Sequence, residues 1–173
     1  MGDNDEDVAL VAGTLQGSQE AAEALVDRHW RELWHIARGI TGDAAGAEDI
    51  VQEALTAAFN RLDRFDPQRG SVRAWLGRIT VNRALNRRRD HRPAEPLPDD
   101  VAENPTDRDS DAAFLAAIAG LSDEHRAVLV LRYGLDYTPQ EISETLGLRL
   151  GTVHSRLARA LEGLRRSMGT ARA

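Results

Sequence analysis

Residues 137–159 leave little choice of structure. Thr138 can cap a helix, Pro139 suits its first position, and Glu141 completes a capping box. Ile142 and Leu146, four apart, share one face, and Gly147 ends the helix as a C-cap glycine does. A second helix follows, with Val153, Leu157, Leu161 and Leu164 on its inner side and Thr152, Ser155, Arg156 and Arg159 on its outer side. Helix, glycine turn and a helix with exposed Arg and Ser is the layout of a helix-turn-helix, whose second helix enters the DNA major groove. An ordinary αα-hairpin with a solvated Arg face has the same pattern, so the rest of the chain must decide.

Charge distribution favours nucleic acid. The 173 residues carry a net charge of −6, which taken alone opposes it. Yet residues 61–92 hold ten Arg against three acids, and residues 149–173 hold six Arg against one. Acidic blocks flank the first of these: residues 1–60 have net charge −9 and residues 93–125 net charge −8. Local charge governs phosphate binding more than the total. All 22 basic residues are Arg, which codon bias in a GC-rich genome explains without a special need for guanidinium. With no cysteine, the chain forms no disulfide and no thiolate metal site. No apolar run reaches membrane-spanning length and no signal-peptide pattern opens the chain, so the expectation is a cytoplasmic protein without membrane insertion.

The periodicity is helical throughout, with no strand-like alternation and no repeat. Residues 1–7 are expected frayed, followed by a short helix from Asp7 to Gln16. Ser18 caps a long helix whose Ala22, Leu25, Val26, Trp30, Leu33, Trp34, Ala37 and Ile40 face inward. A third helix, Ala44 to Leu62, buries Val51, Leu55, Ala58, Phe59 and Leu62 and presents Asp49, Gln52, Glu53 and Thr56. That polar stripe is either a solvated face or a docking surface. Pro67 and Gly70 mark a loop containing Phe65, which either packs or stacks near a base.

Ser71 caps a fourth helix, with Val72, Trp75, Leu76 and Ile79 buried. Arg78, Asn82, Asn86 and Arg89 share an outer stripe, beside Arg87 and Arg88. Asn is a poor helix former, and its amide can pair with adenine, so base reading competes here with simple solvation. Pro93, Pro96, Pro98 and Pro105 with many acids make residues 93–111 a flexible linker. Phe114, Leu115, Ile118 and Leu121 then form one amphipathic helix, and Ser122 caps another with Val128, Leu129, Leu131 and Tyr133. The expected fold is all-α, with units at 1–92 and 112–173 joined by that linker.

The chain resembles bacterial extracytoplasmic-function (ECF) sigma factors of the sigma-70 family, which contain only sigma regions 2 and 4. The resemblance covers about residues 8–92 and 112–167. It rests on Ala47-Glu48-Asp49-Ile50-Val51-Gln52-Glu53, Trp75-Leu76-x-x-Ile79-x-x-Asn82, Leu121-x-x-x-x-Arg126-x-Val128-x-x-Leu131-Arg132-Tyr133 and Gly151-Thr152-Val153-His154-Ser155-Arg156-Leu157. It implies a transcription initiation factor, with core RNA polymerase, promoter DNA and an anti-sigma factor as partners and no cofactor or metal.

By the same resemblance, Asp49, Gln52, Glu53 and Thr56 would dock on the β′ clamp helices, and the β subunit would take part in the complex. Phe65 and its loop, with Arg78, Asn82, Asn86, Arg87, Arg88 and Arg89, would open and hold the −10 element. Arg149, Thr152, His154, Ser155, Arg156 and Arg159 would serve the −35 duplex. Four positions depart from the family pattern. Asn86 stands where Asp is common and Val81 where Arg is frequent. Arg149 replaces the usual Pro or Ser before the recognition helix, and His154 replaces Lys or Arg. Arg is a poor N-cap, which points it toward phosphate, and histidine carries less positive charge than Lys or Arg at neutral pH.

Two other classes fit less of the chain. A dimeric helix-turn-helix regulator leaves the Arg and Asn helix and the acidic stripe unexplained. An enzyme finds no support: the five His lack metal-ligand spacing, and there is no phosphate loop or nucleophile elbow.

Overall fold

The structure is a computed structural model that describes residues 3–90 and 114–170, with side chains to Arg166. The linker expected at 93–111 lies outside the described residues. Those described are helical, with no strand among them. The N-terminal half is α1 (Asp3–Leu15), α2 (Gln19–Thr41), α3 (Ala44–Phe59), a 3₁₀ turn at Leu62–Arg64 and α4 (Val72–Asp90). The C-terminal half is α5 (114–118), α6 (Asp123–Leu129), a π-helical turn at Val130–Gly134, α7 (Pro139–Leu146) and α8 (Leu150–Thr170).

Local chemistry sets most of the boundaries. Ser18 accepts from the Ala21 amide, and Gly42, at φ 78°, closes α2 in the left-handed region. Asp43 Oδ1 accepts from Ala45 N at 3.1 Å and starts α3. Ser71 Oγ accepts from Ala74 N at 3.1 Å and starts α4, as its hydroxyl predicts. The expected capping box is present: Glu141 N donates to Thr138 Oγ1, and Glu141 Oε2 accepts from Thr138 N at 2.7 Å.

Two expectations change. Helix α3 ends at Phe59 rather than Leu62, and Leu62 is buried instead by the following 3₁₀ turn. Residues 3–7 are helical rather than frayed, and Asp7 is 3% exposed. The cause is Arg28 on α2, which gathers Asp3 at 3.0 Å, Glu6 at 2.9 Å and Asp7 at 2.8 Å. Tyr133 points outward, and Tyr137 takes the buried place at 1% exposed. The wide π turn swings Tyr133 away from the core, and the Tyr137 amide is then tied back to Leu131 O at 2.9 Å.

Helix α4 is buried on several sides, through Val72, Ala74, Leu76, Gly77, Thr80, Val81 and Ala84. It packs on α2 and α3 within its own half and on α7 of the other. The two halves therefore share one continuous core, which runs from Val11 and Leu25 through Val81 to Tyr137, Ile142 and Ala160. Small residues allow the close approach: a Cβ on Gly77 would meet Thr145 Cγ2 at 3.2 Å, and one on Gly39 would meet Val130 Cγ1 at 2.7 Å.

Polar groups also bridge the seam. Arg73 on α4 donates to Glu32 at 2.7 Å and to Glu141 at 2.9 Å, with its guanidinium 3.9 Å from the centre of the Tyr137 ring. Arg126, 3% exposed, donates to Ile40 O at 3.1 Å and to Ala119 O. Arg88 reaches Asp123 at 2.7 Å and Ile40 O at 3.3 Å.

His29 sits 3.1 Å from Asp7 Oδ2 and is 4% exposed. Burial holds its imidazole below the ordinary 6.5; Asp7 and Glu32 pull the other way, but Arg28 opposes them. Below about pH 6.5 the unfolded chain therefore takes up a proton that the folded chain resists, so this contribution is full at neutral pH and falls with acid. The urea midpoint should drop between about pH 7.5 and about pH 5.5, and the drop should shrink in His29→Gln. Asp7→Ala, which leaves His29 and Arg28 without their shared carboxylate, should cost about 2–3 kcal/mol in urea unfolding at neutral pH.

Candidate nucleic-acid interface

The acidic stripe of α3 faces an open groove of about 610 Å³, lined by Asp49, Gln52, Glu53 and Thr56 with Asn60, Arg61 and Arg83. Across it stand two arginines of α4. Arg83 Nη1 lies 2.8 Å from Glu53 Oε2, and Arg87 Nη2 lies 3.5 Å from Asp49 Oδ2. Both carboxylates remain more than half exposed, so these pairs are weak and exchangeable. The signal for Arg83, which the sequence reading passed over, was present: Asp49 and Glu53 are four apart, as are Arg83 and Arg87, so two helix faces carry matching charge.

On the loop side, Phe65 is half-buried with its ring 5.5 Å from that of Trp75, so it packs. The loop from Asp66 to Arg69 is exposed, and Asp66 Oδ1 accepts from Gln68 N at 3.0 Å to shape its turn. Past it, Arg78, Asn82, Asn86 and Arg89 are all exposed along one side of α4, as their spacing predicts. Arg89 donates to Asn86 Oδ1. The other two arginines named with them are turned elsewhere, Arg87 toward α3 and Arg88 into the seam.

Helix α8 buries Val153, Leu157 and Ala160 and exposes His154, Ser155 and Arg159, and Arg149 is exposed just before its start. Ser155 Oγ donates to Thr152 O at 2.9 Å, and Thr152 is half-buried. Arg156 is held 3.0 Å from Glu124 of α6. Arg149 stands where a capping side chain would sit, but guanidinium has no acceptor, so it caps no amide of the first turn. A helix start with an Arg beside it suits a phosphate. Gly147, at φ 64°, sets the turn between α7 and α8, and the Arg78 guanidinium fills the space where its Cβ would be. Thr138's amide and hydroxyl, together with Arg73, hold the Glu141 carboxyl below its usual range although burial opposes them.

An all-α chain that couples a helix-turn-helix to a second unit carrying an Arg and Asn helix and an acidic groove has the charge layout of a nucleic-acid-binding protein. Residues 25–93 match Sigma-70 region 2, and residues 117–166 match Sigma-70, region 4. The chain belongs to the ECF sigma factors of the sigma-70 family, the transcription initiation factors that bring core RNA polymerase to promoters. It is 34% identical to the ECF RNA polymerase sigma factor SigL of Mycobacterium tuberculosis, over 91% of this chain and 94% of that one. It is 30% identical to SigW of Bacillus subtilis, over 88% and 91%. Among solved structures, CnrH in complex with the cytosolic domain of CnrY superposes with a TM-score of 0.76 at 29% identity, covering 95% of this chain and 98% of that one. The sigma factor RpoE of Bartonella quintana, in complex with the anti-sigma factor NepR, shares the fold, with a TM-score of 0.66 at 23% identity over 85% and 96%.

The turn of the helix-turn-helix gives two stability predictions. Thr138→Ala should cost about 1 kcal/mol through the lost cap. Gly147→Ala should cost about 1–2 kcal/mol, because a Cβ is strained at positive φ and must also displace Arg78. Urea unfolding of each variant checks both.

Proposed function

We propose that the three surfaces divide the work of promoter opening. The α3 groove, through Asp49, Gln52, Glu53 and Thr56, docks on the clamp helices of the polymerase β′ subunit. The loop at Phe65 and the α4 stripe of Arg78, Asn82, Asn86 and Arg89, with Arg87, engage the melted −10 strand. Helix α8, through Arg149, Thr152, His154, Ser155, Arg156 and Arg159, reads the −35 duplex. The observation that carries this reading is the exposure of Asn82 and Asn86 together on a helix whose other sides are buried, since two amides on a solvated stripe contribute little to folding. Phe65 supports the loop from beneath, packed on Trp75, and leaves the exposed loop residues above it to take an unstacked base.

Each charged surface has a chemical reason to act only in a complex. The chain is acidic in total, so free binding to DNA is weak and sensitive to salt. Tethered on polymerase, two modest contacts act at high effective concentration. The groove carboxylates exchange Arg83 and Arg87 for basic groups of the partner, and release Arg87 toward the strand. The chain acts in the cytoplasm, where polymerase is. A regulatory protein of the anti-sigma type binds it, a reading supported by the likeness to CnrH, which was solved with the cytosolic domain of CnrY.

Footprinting and permanganate reactivity of the holoenzyme test the assignments. Arg156→Ala and Arg159→Ala should each weaken −35 protection by about 1–3 kcal/mol, with permanganate reactivity at −10 retained on a promoter that binds well. Asn82→Ala should lower −10 reactivity while leaving −35 protection in place. Glu53→Arg should abolish polymerase binding but leave the fold intact, since its pair with Arg83 is exposed. Unchanged signals in these variants would remove the corresponding residues from the assignment.

A further inference from the structure

We propose that Glu124, on α6, is a positioning residue for the −35 duplex: it braces Arg156 of α8 so that the guanidinium meets one base pair in a fixed pose. The proposal rests on the assignment of α8, and of Arg156 in particular, to the −35 element made above.

Arg156 differs from the other basic groups of this surface. Arg149, His154 and Arg159 are exposed, whereas the Arg156 side chain is 24% exposed and its Nη2 lies 3.0 Å from Glu124 Oε2. Its place on the helix explains this. Val153 and Leu157 are buried, so Arg156 emerges at the border of the buried face, where α6 packs. Glycine sets how close that packing is. A Cβ on Gly163, about two turns beyond Arg156, would meet Leu121 Cδ2 at 3.0 Å. Leu121 seats beside Gly163, and Ser122, the N-cap of α6, then starts the helix whose first turn brings Glu124 to Arg156. The pair contributes little to the fold, because Glu124 is 64% exposed and an exposed ion pair is weak in water. What it fixes is the direction of a side chain that otherwise has large rotamer freedom.

A guanidinium has five N–H donors. A contact to Glu124 leaves enough of them for bidentate pairing with guanine O6 and N7 in the major groove. With its rotamers already restricted, a braced Arg loses less freedom on meeting the base. An unbraced Arg is free to turn to the nearest phosphate, which holds it well but carries no sequence information. The carboxylate also has a general effect. Standing 3.0 Å from a group that touches a base, it lies within about one Debye length of the phosphates, where it weakens attraction to every sequence alike. Glu124 therefore lowers affinity for DNA in general and raises discrimination at one position. Its removal has a signed consequence: binding to DNA in general is no weaker, and one base pair is read less well.

The test uses holoenzyme, the full chain with core polymerase, on a promoter library randomised over the −35 and −10 elements, with bound and unbound DNA sequenced. Arg156→Ala should flatten the preference at one −35 base pair and so identify it. Glu124→Ala should lower the preference at that same base pair by about fivefold to tenfold, leave the other −35 positions unchanged, and leave binding to non-matching DNA equal or stronger. Added to Arg156→Ala, the change Glu124→Ala should lower no preference further, because the carboxylate then has nothing to brace. The brace is overturned if Glu124→Ala leaves that preference unchanged or sharpens it. It is also overturned if all −35 preferences fall together, as a loosened fold would make them, or if the loss persists in the double variant. If Arg156→Ala by itself flattens no position, the assignment of Arg156 to −35 fails and the brace falls with it, a result obtained without any change at Glu124.

Discussion

The carbonyl of Ile40, at the C-terminal end of α2, is the point on which both halves converge. The last carbonyls of a helix lack partners within it and carry partial negative charge. Arg88 arrives from α4 and Arg126 from α6, and both donate to this oxygen and to Ala119 O. Burial and the neighbouring Arg88 pull the Arg126 guanidinium down to about 10, with Asp123 opposing them. Two like charges are held together here because helix-end carbonyls and Asp123 surround them. Removing both donors would leave the buried Ile40 carbonyl unsatisfied in the middle of a shared core, which is the costlier side of a hydrogen bond.

Much of this architecture is legible in the residues. The caps at Ser18, Ser71 and Thr138 and the glycine stop at Gly147 are local chemistry, and they sit where a reading of short motifs puts them. The outer faces of α4 and α8 also follow from spacing, because a solvated stripe needs only its own helix. Contacts between distant segments are a different matter. Nothing local marks Asp7 as buried; that depends on Arg28 and His29, more than twenty residues later. Tyr133 and Tyr137 look interchangeable until the π turn decides which of them enters the core. Likewise Arg87, Arg88 and Arg89 form one run in the sequence, but the helix directs them to α3, the seam and Asn86 respectively.

The acidic total of the chain and its task on DNA are reconciled by this sorting of arginines. Arg28, Arg73, Arg83 and Arg88 are paired with carboxylates within the protein. The exposed arginines of α4 and α8 are set apart from most of the acids, on surfaces where small clusters of charge create local potential. Exposed pairs such as Glu53 with Arg83 give little stability, so a partner can exchange them at little cost to the fold.

Because the chain contains no lysine, every cation at the seam is a guanidinium. Such a group stays charged across the biological pH range and offers no amine to acetylate. Neutralising the basic side of the contact is therefore closed as a means of control. What remains is competition: a protein that offers better partners to Glu32, Glu141 or the face of Tyr137 acts on this contact by occupancy alone.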